Sequence, residues 1–287
     1  MDVSRNRGKN TAKPAGDDGR GTAASAVKTD PKEPAIPTEQ VDVAVFGDEL
    51  EGLYLARAAA DEGLKVKVLD PRDAFGGQVL QGEMLFLDET RDDQRRPLVQ
   101  GRAKELFDGF RNGKIRKLSE FQQYFDKLKK DIPVEQGVKI GEVKQVQGQF
   151  GPHAVESVDY TTKDGTKKRI QAAYWVDNTD YAAFLSKLQV NRSPGLEQFY
   201  GQKNIEYMSA GMMMKFKNVD WAKFQKSFND LTKERRSAKY GGGVVDSGFA
   251  IGLSGMTSRY KPSNDRVFLR GLNAVNQRDG EVLINAR

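Results

Sequence analysis

The stretch Val41-Asp42-Val43-Ala44-Val45-Phe46-Gly47-Asp48-Glu49-Leu50-Glu51-Gly52 decides how the chain is read. Its first half is a short, near-continuous apolar run, the pattern of a strand buried on both faces inside a parallel sheet. Gly47 ends the run. Leu50, Leu53, Tyr54, Ala56 and Ala60 then recur at helical spacing until Gly63, a residue suited to the position after a helix end. Lys65 to Leu69 makes a second strand, with Val66 and Val68 set between lysines. Strand, glycine turn, helix and strand in this order form a βαβ unit, whose crossover is right-handed.

Further along the chain, Gly101 to Asp131 is expected to be helical, with a start signal in Ser119 and Gln122 and an apolar face of Phe121, Tyr124, Phe125 and Leu128. Val138 to Val146, Val155 to Thr162 and Arg169 to Val176 are expected strands. Asp164 and Gly165 mark a hairpin turn between the last two, so this block is a small antiparallel insert. Met208 to Phe216 follows as a strand, Trp221 to Leu231 as a helix, and Arg266 to Leu272 and Glu281 to Ala286 as two more strands. Before the βαβ unit, Met1 to Gln40 carries only Val3, Val27 and Ile36 as large aliphatics, too few to offset the entropy of ordering, and is expected to be a disordered leader.

Composition narrows the chemistry. The 287 residues are 38% hydrophobic, enough for an ordinary core despite a polar leader. The absence of cysteine excludes disulfides, thiolate zinc sites, iron–sulfur clusters and a cysteine nucleophile, and His153 alone cannot anchor a multi-histidine metal site; a carboxylate-only site stays open, and no metal-binding residues are singled out. A net charge of +6 suits an anionic ligand without demanding one. No apolar run reaches the roughly 18 residues of a membrane span, and none follows Met1 as a signal peptide would require. The expected location of the chain as written is the cytoplasm, or outside it if an N-terminal anchor is missing.

Gly47 to Gly52 fits GxGxxG except that Glu49 replaces the middle glycine. The motif sits between a buried strand and a helix, where Gly47 permits the tight turn, Gly52 allows close packing, and the helix N-terminus offers N–H groups and a positive dipole to a pyrophosphate. A Glu49 carboxylate would repel phosphate unless it points away, toward a ribose hydroxyl or toward helix N–H groups. Asp70, at the end of the second strand, is placed to accept hydrogen bonds from an adenosine ribose, which disfavours a 2′-phosphate and so NADP.

Phe75-Gly76-Gly77-Gln78 and then Gly82 follow that acid. This resembles the second glycine pair of two-dinucleotide-binding-domain flavoproteins of the glutathione-reductase type, and Val43 to Glu89 as a whole resembles the N-terminal segment of FAD-dependent oxidoreductases. The resemblance implies FAD as the cofactor. Gly47, Glu49 and Gly52 would form the pyrophosphate turn, Asp70 would take the adenosine ribose, and the backbone at Gly76 and Gly77 would approach the pyrophosphate or isoalloxazine. Val143 would lie where such proteins contact adenine. Asp177-Asn178-Thr179-Asp180 stands where many carry Ala-Thr-Gly-Asp, with the glycine absent here. The implied fold is α/β: a Rossmann-like FAD-binding domain over residues 41–185 with a parallel sheet and the antiparallel insert, then an incomplete mixed α+β substrate domain over residues 186–287, after the leader of residues 1–40. A late Gly-Asp motif that such flavoproteins use is missing, from which a C-terminally truncated protein is expected.

The expected function is an FAD-dependent oxidoreductase acting on an unidentified small molecule by hydride or electron transfer at the flavin. A non-catalytic remnant that no longer holds FAD, and a basic module binding an anionic ligand or nucleic acid, are the alternatives. No catalytic acid or base is selected, although Arg259, Tyr260, Arg270 and Asn273 could reach a substrate. His153 is read as a loop residue, Met212 to Met214 as core, Gly241 to Gly243 as a flexible loop, and the basic clusters Arg111 to Lys117, Lys127 to Lys130 and Lys233 to Lys239 as solvated helix faces.

Overall fold

In the computed structural model the described residues are 35–286, without residues 84, 149–152, 192–194, 202–210, 265–268 and 270. Most of the expected leader, residues 1–34, lies outside them, as do Gly151, Pro152, Met208 and Arg270. The strands are β1 (Thr38–Phe46), β2 (Val66–Asp70), β3 (Val134–Gln136), β4 (Lys139–Val146), β5 (Ala154–Thr161), β6 (Lys167–Asp177), β7 (Met212–Phe216), β8 (Gly243–Val245), β9 (Phe249–Gly252), β10 (Leu272–Arg278) and β11 (Glu281–Ala286). The helices are α1 (Leu50–Asp61), α2 (Gly77–Gln81), α3 (Gly101–Arg111), α4 (Leu118–Leu128), α5 (Leu196–Tyr200), α6 (Trp221–Asn229), α7 (Lys233–Tyr240) and α8 (Ser254–Thr257).

The first sheet has the order β3-β2-β1-β6-β5-β4. β3, β2, β1 and β6 are mutually parallel where they pair, and β6, β5 and β4 continue as an antiparallel meander. This is the expected Rossmann-like α/β arrangement with an antiparallel insert. β6 belongs to both parts, Lys167 to Ile170 pairing with β5 and Arg169 to Asp177 with β1. Val43, Ala44, Val45 and Phe46 are all buried, as a central parallel strand requires. Val43 and Val45 face Ala56 of α1, while Ala44 and Phe46 face Val158, Tyr160, Ile170 and Phe184 on the other side. Phe46, Phe184 and Trp175 form a cluster of three mutually stacked rings, with Phe46 nearest to Phe184 at 4.7 Å between centroids.

The second sheet, β7-β11-β10-β9-β8, is antiparallel throughout. Its period-2 alternation splits neighbouring residues between two cores. Val282 packs with Trp221 and Phe228 of α6, whereas Leu283 and Met213 join Leu53, Leu80, Phe121 and Phe125 from the helices of the first sheet.

Several boundaries move for local reasons. β1 begins at Thr38, inside the segment expected as leader, because Thr38 to Gln40 pair with Arg169 to Gln171 of the long β6. The helical region after Gly101 breaks into α3 and α4, and Ser119 lies within the first turn of α4 instead of capping it. Glu120 supplies the closure, its carboxylate accepting from the N–H groups of Arg116 and Lys117. Of the strand expected over Arg266 to Leu272, residues 266–268 and 270 lie outside the described residues, and β10 begins at Leu272.

Because Phe46 is fully buried in this three-ring cluster, Phe46→Ala should cost about 3–5 kcal/mol. A lower urea midpoint with an unchanged denaturant slope will check this; an unchanged midpoint would remove Phe46 from the core.

Candidate functional site

β1, β2 and β6 end together at one edge, at Phe46, Asp70 and Asp177. The chain leaves β1 through α1 to β2 and beyond to β3, then returns to the opposite side of β1 as β6. The strand order therefore reverses between β1 and β6, and in open α/β sheets ligands bind in the crevice outside the carboxyl ends at such a point.

Gly47 begins the turn with φ +94°, a left-handed conformation that excludes most side chains, and a Cβ there would sit 2.3 Å from the carbonyl oxygen of Asn178. Gly52 approaches the same residue: its N–H donates to Asn178 Oδ1 at 2.6 Å. The two outer motif glycines thus let the β1 turn pack against the segment after β6.

Asp70 is fully buried with both oxygens engaged. Oδ2 accepts from the Asp48 N–H at 2.8 Å and from the Arg72 guanidinium at 3.0 Å, and Oδ1 accepts from the Arg72 N–H at 2.6 Å. Asp48, also fully buried, turns its carboxylate to the start of α2, accepting from Gly76 N–H at 3.1 Å and Gly77 N–H at 3.0 Å, and from the Gln136 amide at 3.0 Å. Glu49 reaches the same place. Its oxygens accept from Gln78 N–H at 2.8 and 3.1 Å and from Arg72 at 2.5 Å. Arg72 also lies 3.3 Å from Asp180 and 3.3 Å from Asp48.

The structure thus joins Gly47, Glu49, Gly52, Asp70, Gly76 and Gly77 in one cluster. Val143 lies elsewhere, in the middle of β4 opposite Val158 and packed into the core beneath the sheet. Glu49 does point toward helix N–H groups, but those of α2 instead of its own helix. Sequence reasoning passed over Arg72 and Asn178. The available signals were an arginine two residues after the strand-terminal acid and an asparagine just before the position of the missing motif glycine after β6.

Electrostatically, one guanidinium serves four carboxylates. Burial pushes the Asp48 carboxyl up to about 7, helped by the neighbouring Asp70 charge. Burial also raises Glu49, with Asp180 adding to it. Burial pushes Asp70 in the same direction, but hydrogen bonds from Arg72 and from the Asp48 N–H outweigh it and hold Asp70 below the usual carboxylate range.

Two cavities lie near the first sheet. One of about 700 Å³, lined by Gln40 to Asp42, Lys65, Glu156 and Gln171 to Ala173, is toward the amino ends of β1 and β6, away from the crevice. The other, about 370 Å³, opens beyond the end of β2 between Pro71, Val138 to Ile140, Tyr181, Ala183, Ser186 and Lys187. Position favours the smaller one as a ligand site. Its apolar walls and two lysines suit the adenosine half of a dinucleotide. The glycine turn does not fit a pyrophosphate in this arrangement: Asn178 fills the space beside Gly47 and Gly52, and the carboxylates of Asp48 and Glu49 already take the α2 N–H groups.

The other motifs take ordinary structural places. His153 is exposed, Met213 packs into the core while Met212 is exposed at the edge of the second sheet, and Gly241 ends α7. Arg111, Lys117, Lys127 and Lys129 pair with Glu89, Asp279, Glu105 and Asp126, so part of the charge of the first two basic clusters is neutralised locally. Among the described residues no three His, Asp or Glu side chains are arranged to hold a metal ion, and no helix is long and apolar enough to cross a membrane.

A buried acid with a raised pKa binds its proton more tightly in the folded than in the unfolded chain. Its contribution is therefore favourable at low pH and lost as pH rises through the folded value. Asp48→Asn, which keeps the acceptor but removes the charge, should gain stability relative to the unsubstituted chain as pH rises from 5 to 8. Thermal midpoints across that range will check it; a pH-independent difference would show Asp48 ionised throughout.

A family model for FAD dependent oxidoreductases matches residues 42–286. No curated protein matches the chain. Among solved structures, THI4 from Thermovibrio ammonificans is 22% identical with a TM-score of 0.40, covering 53% of this chain and 64% of its own. A T. acidophilum thioredoxin reductase is 20% identical with a TM-score of 0.30, covering 49% of this chain and 35% of its own. A geranylgeranyl bacteriochlorophyll reductase-like protein from Thermoplasma acidophilum is 14% identical with a TM-score of 0.41, covering 87% of this chain and 56% of its own. The chain thus spans less than two thirds of the length of these structures. With the family match extending from the second residue of the apolar run in β1 to the end of β11, the chain belongs to the FAD-dependent oxidoreductase family.

Proposed function

We propose that this chain holds the dinucleotide of an FAD-dependent oxidoreductase, with residues 41–185 as the cofactor-binding part and residues 186–287 as the part facing substrate. The observation that carries this reading is the coincidence of the β1/β6 switch point with the adjacent cavity of about 370 Å³. The adenosine half would lie between Ile140 and Tyr181, with Lys139 and Lys187 supplying positive charge at the rim. FAD, when bound, supplies hydride or electron transfer, and the protein supplies binding, orientation and electrostatics.

The roles of this chain's residues toward that cofactor follow from the cluster. Gly47 and Gly52 bring the β1 turn against Asn178, and Asp70 with Arg72 fixes the loop after β2. Both loops border the crevice.

A ligand that binds only the folded chain raises its melting temperature by mass action. Added FAD should therefore raise the thermal midpoint in a concentration-dependent way. Ser186→Trp, at an exposed position on the cavity rim, gives up the Ser186 Oγ hydrogen bond to the Ala183 carbonyl and should lower the midpoint of the free protein only slightly while removing the FAD response. A midpoint indifferent to FAD at millimolar concentration would contradict the reading, and an undiminished response in Ser186→Trp would place the cofactor elsewhere.

A further inference from the structure

The middle position of GxGxxG is a glycine where the backbone must approach a pyrophosphate closely. Here it is Glu49, whose backbone (φ −62°, ψ 161°) is ordinary extended geometry, so nothing local forces or forbids a side chain. That side chain is 13% exposed and is held from two sides, by Arg72 at 2.5 Å and by the Gln78 N–H at 2.8 Å. The opposite wall is shaped to receive it: Gly77 has φ +56°, and a Cβ there would lie 2.0 Å from Glu49 Oε2. Gly77 therefore makes room for the Glu49 carboxylate, while Asp48 takes the N–H groups of Gly76 and Gly77 and Glu49 the next one.

We propose that Glu49 is an internal competitor for the dinucleotide phosphates, so that FAD enters fully only when the Glu49 carboxylate leaves Arg72 and the start of α2. This rests on the FAD reading above and adds to it the residue that sets affinity. Charge points the same way. Arg72 faces Asp48, Glu49, Asp70 and Asp180, and each of the four lies within 3.3 Å of its guanidinium. A pyrophosphate brought to this crevice meets a surplus of like charge, and removing one carboxylate relieves it while freeing both the Arg72 edge and the Gln78 N–H for the ligand.

Equilibrium titration of the whole chain with FAD and with ADP, read by flavin fluorescence quenching and by calorimetry, tests this without any enzymatic assay. Glu49→Ala should bind both ligands at least about tenfold more tightly than the unsubstituted chain. Glu49→Gln, which keeps an acceptor for Gln78 and guards against a folding defect, should show a smaller gain in the same direction. Affinities for both variants equal to or weaker than the unsubstituted chain would overturn the competition while leaving FAD binding intact. Absence of FAD and ADP binding in all three proteins would remove the cofactor reading itself, and the competition with it.

Discussion

Arg72 is the group on which the carboxyl edge of the first sheet depends. It is three-quarters buried, and its guanidinium bridges Asp70 from the end of β2, Asp48 and Glu49 from the β1 turn, and Asp180 from the segment after β6. Buried carboxylates are costly unless paired, and leaving one unpaired costs more than the pair itself contributes. Arg72 therefore ties three loops into one electrostatic unit, and removing it exposes every member at once.

That unit explains why the turn looks as it does. Family members are expected to present a glycine turn to a pyrophosphate, whereas here the glycines face protein: Gly47 and Gly52 against Asn178, and Gly77 against Glu49. The turn is folded around negative charge supplied by the chain. The adjoining cavity, with Tyr181, Lys139 and Lys187 at its walls, keeps room for an adenosine-sized group. Cofactor family and local chemistry thus meet at one crevice, with competition between an internal and an external anion as the consequence.

Much of the fold was legible because its signals are local. The apolar run at Val43 to Phe46, the turn at Gly47 and the helical spacing through Ala60 each appear within a few residues, and they place β1, α1 and β2 within one residue or a few. β3, of three residues, and β8, of three, carry too little pattern to stand out, and the break between α3 and α4 rests on Glu120 binding backbone that precedes it. The site was legible in part for the same reason. Gly47, Gly52, Asp70, Gly76 and Gly77 follow from motif spacing, but the partners that decide what they do come from far along the chain. Asn178 reaches Gly52 across the sheet, and Asp180 meets Arg72 only because β6 returns beside β1. Val143 was placed by analogy of position, and its side chain goes to the core because β4 pairs with β5 in the register that sets it opposite Val158.

One cation neutralises the buried acids at the crevice, and the stability of Arg72→Ala as a function of pH reads out that dependence. Without Arg72, the carboxylates of Asp48, Glu49 and Asp70 remain buried and unpaired, so each favours its protonated form in the folded chain. The folded variant then binds more protons than the unfolded chain, and its stability rises as pH falls. At pH 8 the variant should be less stable than the unsubstituted chain by on the order of 3 kcal/mol, the usual cost of breaking a buried pair. The gap should close progressively toward pH 5. A loss that is small at pH 8, or one that stays constant from pH 8 to pH 5, would show that Arg72 does not hold these carboxylates ionised.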